Sequence, residues 1–133
     1  GGWFAPLDRA PPVPLDTRVL SEEELAVYVE ALARNGFFGP DSWYMNHRRN
    51  GEYARRAPNG GRLSMPVLFL HGDYDVVCET TVSRLADPMR AACENLTEVV
   101  IPSGHWMAQE QPVAVNAALA RWLATKVEGV WPV

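Results

Sequence analysis

The apolar positions of this chain change their period halfway along it. In "SEEELAVYVEALARNG" (21–36), Leu25, Tyr28, Val29 and Leu32 recur at i, i+3, i+4 and i+7, the stripe of an amphipathic helix. Ser21 and Glu24 form the S-x-x-E pattern of a capping box, Glu22, Glu23 and Glu24 suit the positive end of the helix dipole, and Gly36 suits the residue just past the end. Beyond residue 60 the pattern differs. "PVLFLH" (66–71) and "TEVVI" (97–101) are short apolar runs of strand length, the first without alternation, as in a strand covered on both faces. Between them, "TVSRLADPMRAACENL" (81–96) predicts a helix with Leu85, Met89, Ala92 and Leu96 on one side, kinked or restarted at Pro88. "PVAVNAALARWLATKV" (112–127) predicts a final helix with Pro112 near its start and Val115, Ala118, Leu119 and Trp122 as its buried stripe.

The second half therefore reads strand, loop, helix, strand, loop, helix. Parallel strands joined by a crossover helix define an α/β layered fold. The first half is less regular. Residues 1–20 are rich in proline, which fixes φ and removes backbone donors, so an extended arm or loop is expected. "FFGPDSWYMNHRRNGEYARR" (37–56) begins aromatic and turn-rich, with Asp41 or Ser42 placed to cap a short helix through Trp43 and Tyr44. "APNGGRLS" (57–64) is a linker by composition.

Composition narrows the function. A chain of 133 residues with 47% hydrophobic positions and five Trp is long enough for a real core. A net charge of −4 and scattered arginines at 48, 49, 55 and 56 offer no phosphate-backbone footprint, which argues against nucleic acid as a partner. No apolar run approaches the roughly 20 residues of a membrane span, and no signal peptide is visible. Cys78 and Cys93 stand outside any CxxC pair, and no Cys/His cluster has metal spacing, so neither a metal nor a cofactor is expected. Reduced thiols in a cytoplasmic protein are the expectation, with a disulfide between the two as the alternative.

In an open α/β sheet, ligands sit beyond the carboxyl ends of the strands. The first strand is followed by "HGDYD" and the second by "PSGH", which places Asp73 or Asp75 and His105 at matching depth. On neighbouring strands, such a carboxylate and imidazole would meet. The carboxylate would hold one ring nitrogen as N–H and leave the other free to take a proton. The simpler alternatives are an ordinary turn aspartate and a turn histidine packed on Trp106. A nucleophile is missing from the pattern: no G-x-S-x-G elbow, nor its Asp or Cys form, occurs. Ser103 is too close to His105, Cys78 has no elbow around it, and the His71–Gly72 pair is misplaced for an oxyanion turn.

Three stretches, "SEEELAVYVEALARNGFFGPDSWYMN", "PVLFLHGDYDVVCET" and "SGHWMAQEQPVAVNAALARWLATKV", together resemble in order the last part of α/β-hydrolase-fold epoxide hydrolases, the fungal branch above all. The resemblance runs from about residue 20 to about residue 127. It implies a helical cap segment with its Pro-rich arm over residues 1–60, and the C-terminal portion of an α/β-hydrolase core over 61–133. By the same resemblance His105 would be the base that activates water and Asp75 the residue that orients it. Asp73 fits less well. Tyr44 of "SWY" would hydrogen-bond the epoxide oxygen, where a phenol could protonate the alkoxide as the ring opens. The plain alternative for Tyr44 is packing under the cap beside Trp43. Trp106 and Trp43 would line the substrate pocket, or simply pack.

The departures from the family pattern are the Asp elbow that forms the ester, the oxyanion turn and a second cap tyrosine. Tyr28 is no substitute for that tyrosine, since it lies on the expected buried stripe of its helix. The expectation is the cap-and-base half of an epoxide hydrolase. It would pair with a complementary N-terminal polypeptide or self-associate as a homo-oligomer, and its substrate, once completed, would be a small-molecule epoxide. The alternatives are a non-catalytic remnant serving as an oligomeric or binding module, and a fragment of a haloalkane dehalogenase-like hydrolase.

Overall fold

The computed structural model describes Arg9 and residues 11–130. The expected arm lies partly outside these residues; over 11–20 it contains a turn but no helix or strand. The chain divides into two compact units, Gly1–Asn35 and Gly36–Val133. In the first, α1 spans Glu22–Asn35. Both halves of the capping box are closed: the Ser21 N–H donates to Glu24 Oε2 at 2.8 Å, and the Glu24 N–H to Ser21 Oγ at 3.2 Å. Gly36 follows with φ +71°, a left-handed turn that favours glycine. The apolar stripe of α1 is not buried, contrary to expectation; Tyr28 is 51% exposed. Its period reports a helix with one apolar side, and residues 11–20 form no element to cover that side.

In the second unit, α2 (Phe38–Met45) and α3 (His47–Ala54) lead through a 3₁₀ turn at Pro58–Gly61 to β1 (Leu63–Gly72). Then come α4 (Asp87–Ala92), β2 (Cys93–Ile101), α5 (Met107–Glu110) and α6 (Pro112–Lys126). The short helix expected through Trp43 and Tyr44 is α2, but neither Asp41 nor Ser42 caps it. Ser42 Oγ instead donates back to the Phe38 carbonyl at 2.5 Å. The linker turns through left-handed Asn59, Gly60 and Gly61.

β1 and β2 pair in parallel, in register from Pro66↔Asn95 to Gly72↔Ile101. The register shifts between Leu63 and Pro66, where proline has no N–H for the ladder. The long helix expected over 81–96 is reduced to α4. Glu79 accounts for the first part of the difference. Its carboxylate accepts from the N–H groups of Thr81, Val82 and Ser83 and from the Thr81 hydroxyl, tying 79–83 into a turn. These bonds, the Thr81 hydroxyl first, hold the Glu79 carboxyl down at about 2. Pro88 restarts the chain as a helix in α4. β2 begins at Cys93, four residues before its apolar run, because ladder pairing with β1 recruits "CENL".

Among the described residues the sheet has these two strands, and Ala86 and Ile101 are its buried apolar side chains. Helix α6 lies against both strands and α4 against β2. The α6 stripe is only partly covered: Val115, Ala118 and Trp122 are half-buried and Leu119 is exposed. Parallel sheets are ordinarily covered on both faces and extended at both edges, so this sheet is thinly protected.

Candidate active site

The site lies where both strands end together. Because Gly72 and Ile101 are paired, the two following loops start side by side. They are bonded directly to each other: the Asp73 N–H donates to the Ile101 carbonyl and the Tyr74 N–H to the Ser103 carbonyl, each at 2.9 Å. A methyl group at Gly72 would meet the Gly104 carbonyl oxygen at 2.7 Å and that of Ser103 at 3.1 Å. Only glycine permits so close an approach of the two loops.

Asp75 is buried, at 7% exposure, and its two oxygens divide their work. Oδ1 accepts from the N–H groups of Val77 and Cys78, both at 2.9 Å. Oδ2 lies 3.0 Å from Nδ1 of His105. The Cys78 N–H does most to hold the Asp75 carboxyl below its ordinary range. Burial opposes this, and His105 and the Val77 N–H reinforce it. An ionised carboxylate only accepts, so His105 carries its proton on Nδ1. Among the described residues nothing hydrogen-bonds Nε2, and the side chain is 40% exposed. Trp106 meets the imidazole edge-on, with ring centroids 5.4 Å apart.

Of the five residues singled out from the sequence, His105, Asp75 and Trp106 are brought together. Tyr44 and Trp43 sit on α2, at 69% and 74% exposure, and no hydrogen bond joins Tyr44 to the pair among the described residues. Ser103 is buried and its hydroxyl donates to the Gly104 carbonyl at 3.3 Å, with no hydrogen bond to the imidazole among the described residues. Cys78 and Cys93 are both free thiols.

Sequence reasoning missed two features. His71 is buried at 3% exposure, with Nδ1 at 2.8 Å from Thr80 Oγ1 and Nε2 at 2.9 Å from Glu98 Oε1. Glu98 in turn receives Arg90, which does most to hold its carboxyl below the ordinary range. The signal was faint: one polar residue closing an otherwise apolar run. The second feature is Glu110. Its Oε2 accepts the Gly104 N–H at 2.6 Å and its Oε1 the Trp106 N–H at 3.1 Å. A carboxylate one turn after a Gly-His-Trp loop is the pattern that could have revealed it.

Among the described residues no group of three His, Cys, Asp or Glu side chains could hold a metal ion, and no helix is long and apolar enough to cross a membrane. A cleft of about 380 Å³ between β2 and α6, lined by Val99, Ala118 and Trp122 among others, does not include the His105–Asp75 pair.

Fold and site together define an α/β protein with a carboxylate-oriented histidine at the carboxyl end of a parallel sheet. Comparison with known proteins makes this more particular. The chain is 38% identical over 106 residues to epoxide hydrolase A of Mycobacterium tuberculosis, covering 78% of this chain and 32% of that protein. It is 28% identical over 118 residues to bifunctional epoxide hydrolase 2 of Rattus norvegicus, covering 89% and 21%. Epoxide hydrolase B of M. tuberculosis is 31% identical over 108 residues, with 77% and 29% covered. No family model matches. The chain is thus similar to the C-terminal part of epoxide hydrolases, and it spans about a fifth to a third of the length of these relatives.

Proposed function

We propose that this chain supplies the late cap and the acid and base loops of an epoxide hydrolase of α/β-hydrolase fold. The observation that carries the reading is the Asp75–His105 pair, with Nε2 of the imidazole open, in a sequence similar to epoxide hydrolases. In this reading residues 1–60 serve as arm and cap and 61–133 as core. The nucleophile, an aspartate, comes from a complementary N-terminal polypeptide that also extends the open sheet.

The chemistry divides into two steps. The aspartate attacks an epoxide carbon, the C–O bond breaks, and an ester and an alkoxide form. Tyr44 on the cap donates its phenolic proton to the alkoxide when the cap closes over substrate. His105 then takes a proton from water at Nε2 while Asp75 stabilises the imidazolium through Nδ1. The hydroxide attacks the ester carbonyl, the acyl C–O bond breaks, the diol leaves and the carboxylate is regenerated, while the imidazolium proton passes through water to the Tyr44 phenolate and restores both groups. Mixing this chain with a separately produced nucleophile half is expected to give diol from a small epoxide, and native mass spectrometry is expected to show the two polypeptides together. A stable two-chain complex without hydrolysis would defeat the catalytic reading.

A second reading is favoured by the exposed cap face, where Phe38, Trp43, Tyr44 and Met45 all stand open on α2. Here the chain is a non-catalytic module that assembles with itself, and native mass spectrometry would give a homo-oligomer. A dehalogenase-like hydrolase would use the same Asp–His logic without Tyr44.

A further inference from the structure

We infer that Glu110 is a positioning residue that sets the ring orientation of His105. The inference rests on the reading of His105 as a base. The histidine loop has little to hold it: residues 102–106 form neither helix nor strand, and His105 is half exposed. One ring hydrogen bond, to Asp75, fixes the imidazole only if the backbone beneath it stays still.

That backbone is held from below by one carboxylate. Glu110 ends α5, and its side chain reaches back beneath the loop. Its two oxygens accept from the N–H groups of Gly104 and Trp106, the residues on either side of His105. The clamp thus brackets the base without touching its ring. Both bonds run to a charged acceptor, the stronger class of hydrogen bond. A methyl group at Gly104 would meet both Glu110 carboxylate oxygens, at 3.0 and 3.2 Å, so the backbone and the carboxylate are already in close contact. On the opposite side the Ser103 carbonyl is fixed by the Tyr74 N–H, and Asp75 is fixed by Val77 and Cys78. Glu110 supplies the corresponding restraint for the histidine side of the pair. The other described side chain on the backbone of 104–106 is Ser103, whose hydroxyl donates to the Gly104 carbonyl at 3.3 Å and leaves the two N–H groups beside His105 to Glu110.

The consequence is specific. A loop that loses this clamp lets the imidazole sample rotamers in which Nδ1 leaves Asp75. The ring then behaves as an ordinary imidazole, with both tautomers present. His71, held at both nitrogens by Thr80 and Glu98 within the same unit, provides an internal reporter of an intact sheet.

The test uses the full 133-residue chain with 15N-labelled histidine and NMR detection of the ring nitrogens. In the wild type, His105 is expected as the single Nδ1–H tautomer, with a hydrogen-bonded ring proton. In Glu110→Ala that proton is expected to exchange with water at least about tenfold faster, and the second tautomer to appear, while the His71 signals stay in place. Glu110→Gln keeps the size of the side chain and one acceptor, so it is expected to fall between the two. If Glu110→Ala also displaces His71, the Gln variant decides: an unchanged His105 ring there overturns the inference. It is also overturned if His105 keeps its tautomer in both variants, or if it already titrates as a free imidazole in the wild type. None of these readouts depends on hydrolysis. A chain that shows the clamp but yields no diol with a nucleophile half would retain the positioning role and lose the epoxide hydrolase reading.

Discussion

Two histidines lie at the two strand ends of this sheet, and their surroundings could hardly differ more. His71 is buried inside β1, with both ring nitrogens engaged, one by Thr80 and one by the Glu98–Arg90 pair. His105 stands on a loop beyond β2, with one nitrogen on Asp75 and the other open. Both rings meet an aromatic edge, Phe69 at 4.7 Å for His71 and Trp106 at 5.4 Å for His105. A general base needs a lone pair that substrate-side water can reach, together with a partner that stabilises the charge it acquires. His71 has partners but no free lone pair. His105 has one of each. The same residue type is therefore a strut in one place and a candidate base in the other, and the number of committed nitrogens tells them apart.

The largest effect should appear in activity. In a complex that forms diol, His105→Ala is expected to lower turnover by about 10²–10⁴-fold, the usual range for removing an acid–base group. His71→Ala in the same assay should lower the amount of folded complex rather than the turnover of what remains. Equal losses per folded molecule would erase the distinction between the two rings.

Stability should reverse the order. His71→Ala removes a packed ring and two hydrogen bonds, and is expected to cost about 3 kcal/mol in chemical denaturation. His105→Ala removes one partly exposed hydrogen bond and should cost about 1 kcal/mol. A large stability loss at His105 would make it a packing residue.

Acid should separate the pairs less sharply. The Asp75 carboxyl is held below its ordinary value in the folded chain, so its contribution is present above about pH 4, the unfolded value, and is lost as pH falls through the lower folded value. Urea midpoints measured from pH 6 downward should therefore show Asp75→Asn less stable than wild type at pH 6 and converging with it below about pH 4. Glu98 is displaced in the same direction, so the Asn variant should keep part of the acid slope. A gap that stays constant with pH would mean that Asp75 is no better paired in the folded chain than in the unfolded one. The smallest effect is expected at the aromatic edges. Trp106→Leu should cost about 0.5–1 kcal/mol through the ring contact, and Phe69→Leu somewhat more because its partner is buried.

The legible parts of this molecule are those whose signal is local. Ser21, Glu24 and Gly36 mark α1 at both ends, Pro112 marks the start of α6, and two apolar runs mark the strands in their right order. A pairing of His105 with Asp73 or Asp75 was legible because parallel topology turns two separate strand ends into neighbours, and the resemblance to epoxide hydrolases pointed to Asp75 of the two. What was hidden depends on partners distant in sequence or on a competing side chain. Glu79 turns a helix-like stretch into a bend, β1 draws "CENL" into a strand, and Glu110 acts only on backbone N–H groups. The exposure of the α1 stripe and of α2 was equally out of reach, since a period of apolar residues says which side is apolar but not what covers it.

The direct backbone bonds between the two loops carry a consequence for how this architecture tolerates change. Asp75 and His105 are separated by 30 residues along the chain, and the bonds that align them use Val77 and Cys78 at one end of the connecting segment and β2 with Ile101, Ser103 and Gly104 at the other. Between these ends, the stretch from Val82 to Leu85 is exposed and bonds neither Asp75 nor the histidine loop, and lengthening such a tether is thermodynamically mild, about 0.6 kcal/mol for each doubling of a flexible loop. Insertions there can accumulate while the carboxylate and the imidazole keep their spacing, so the chemistry of this sheet edge and the length of the chain that forms it are free to vary independently.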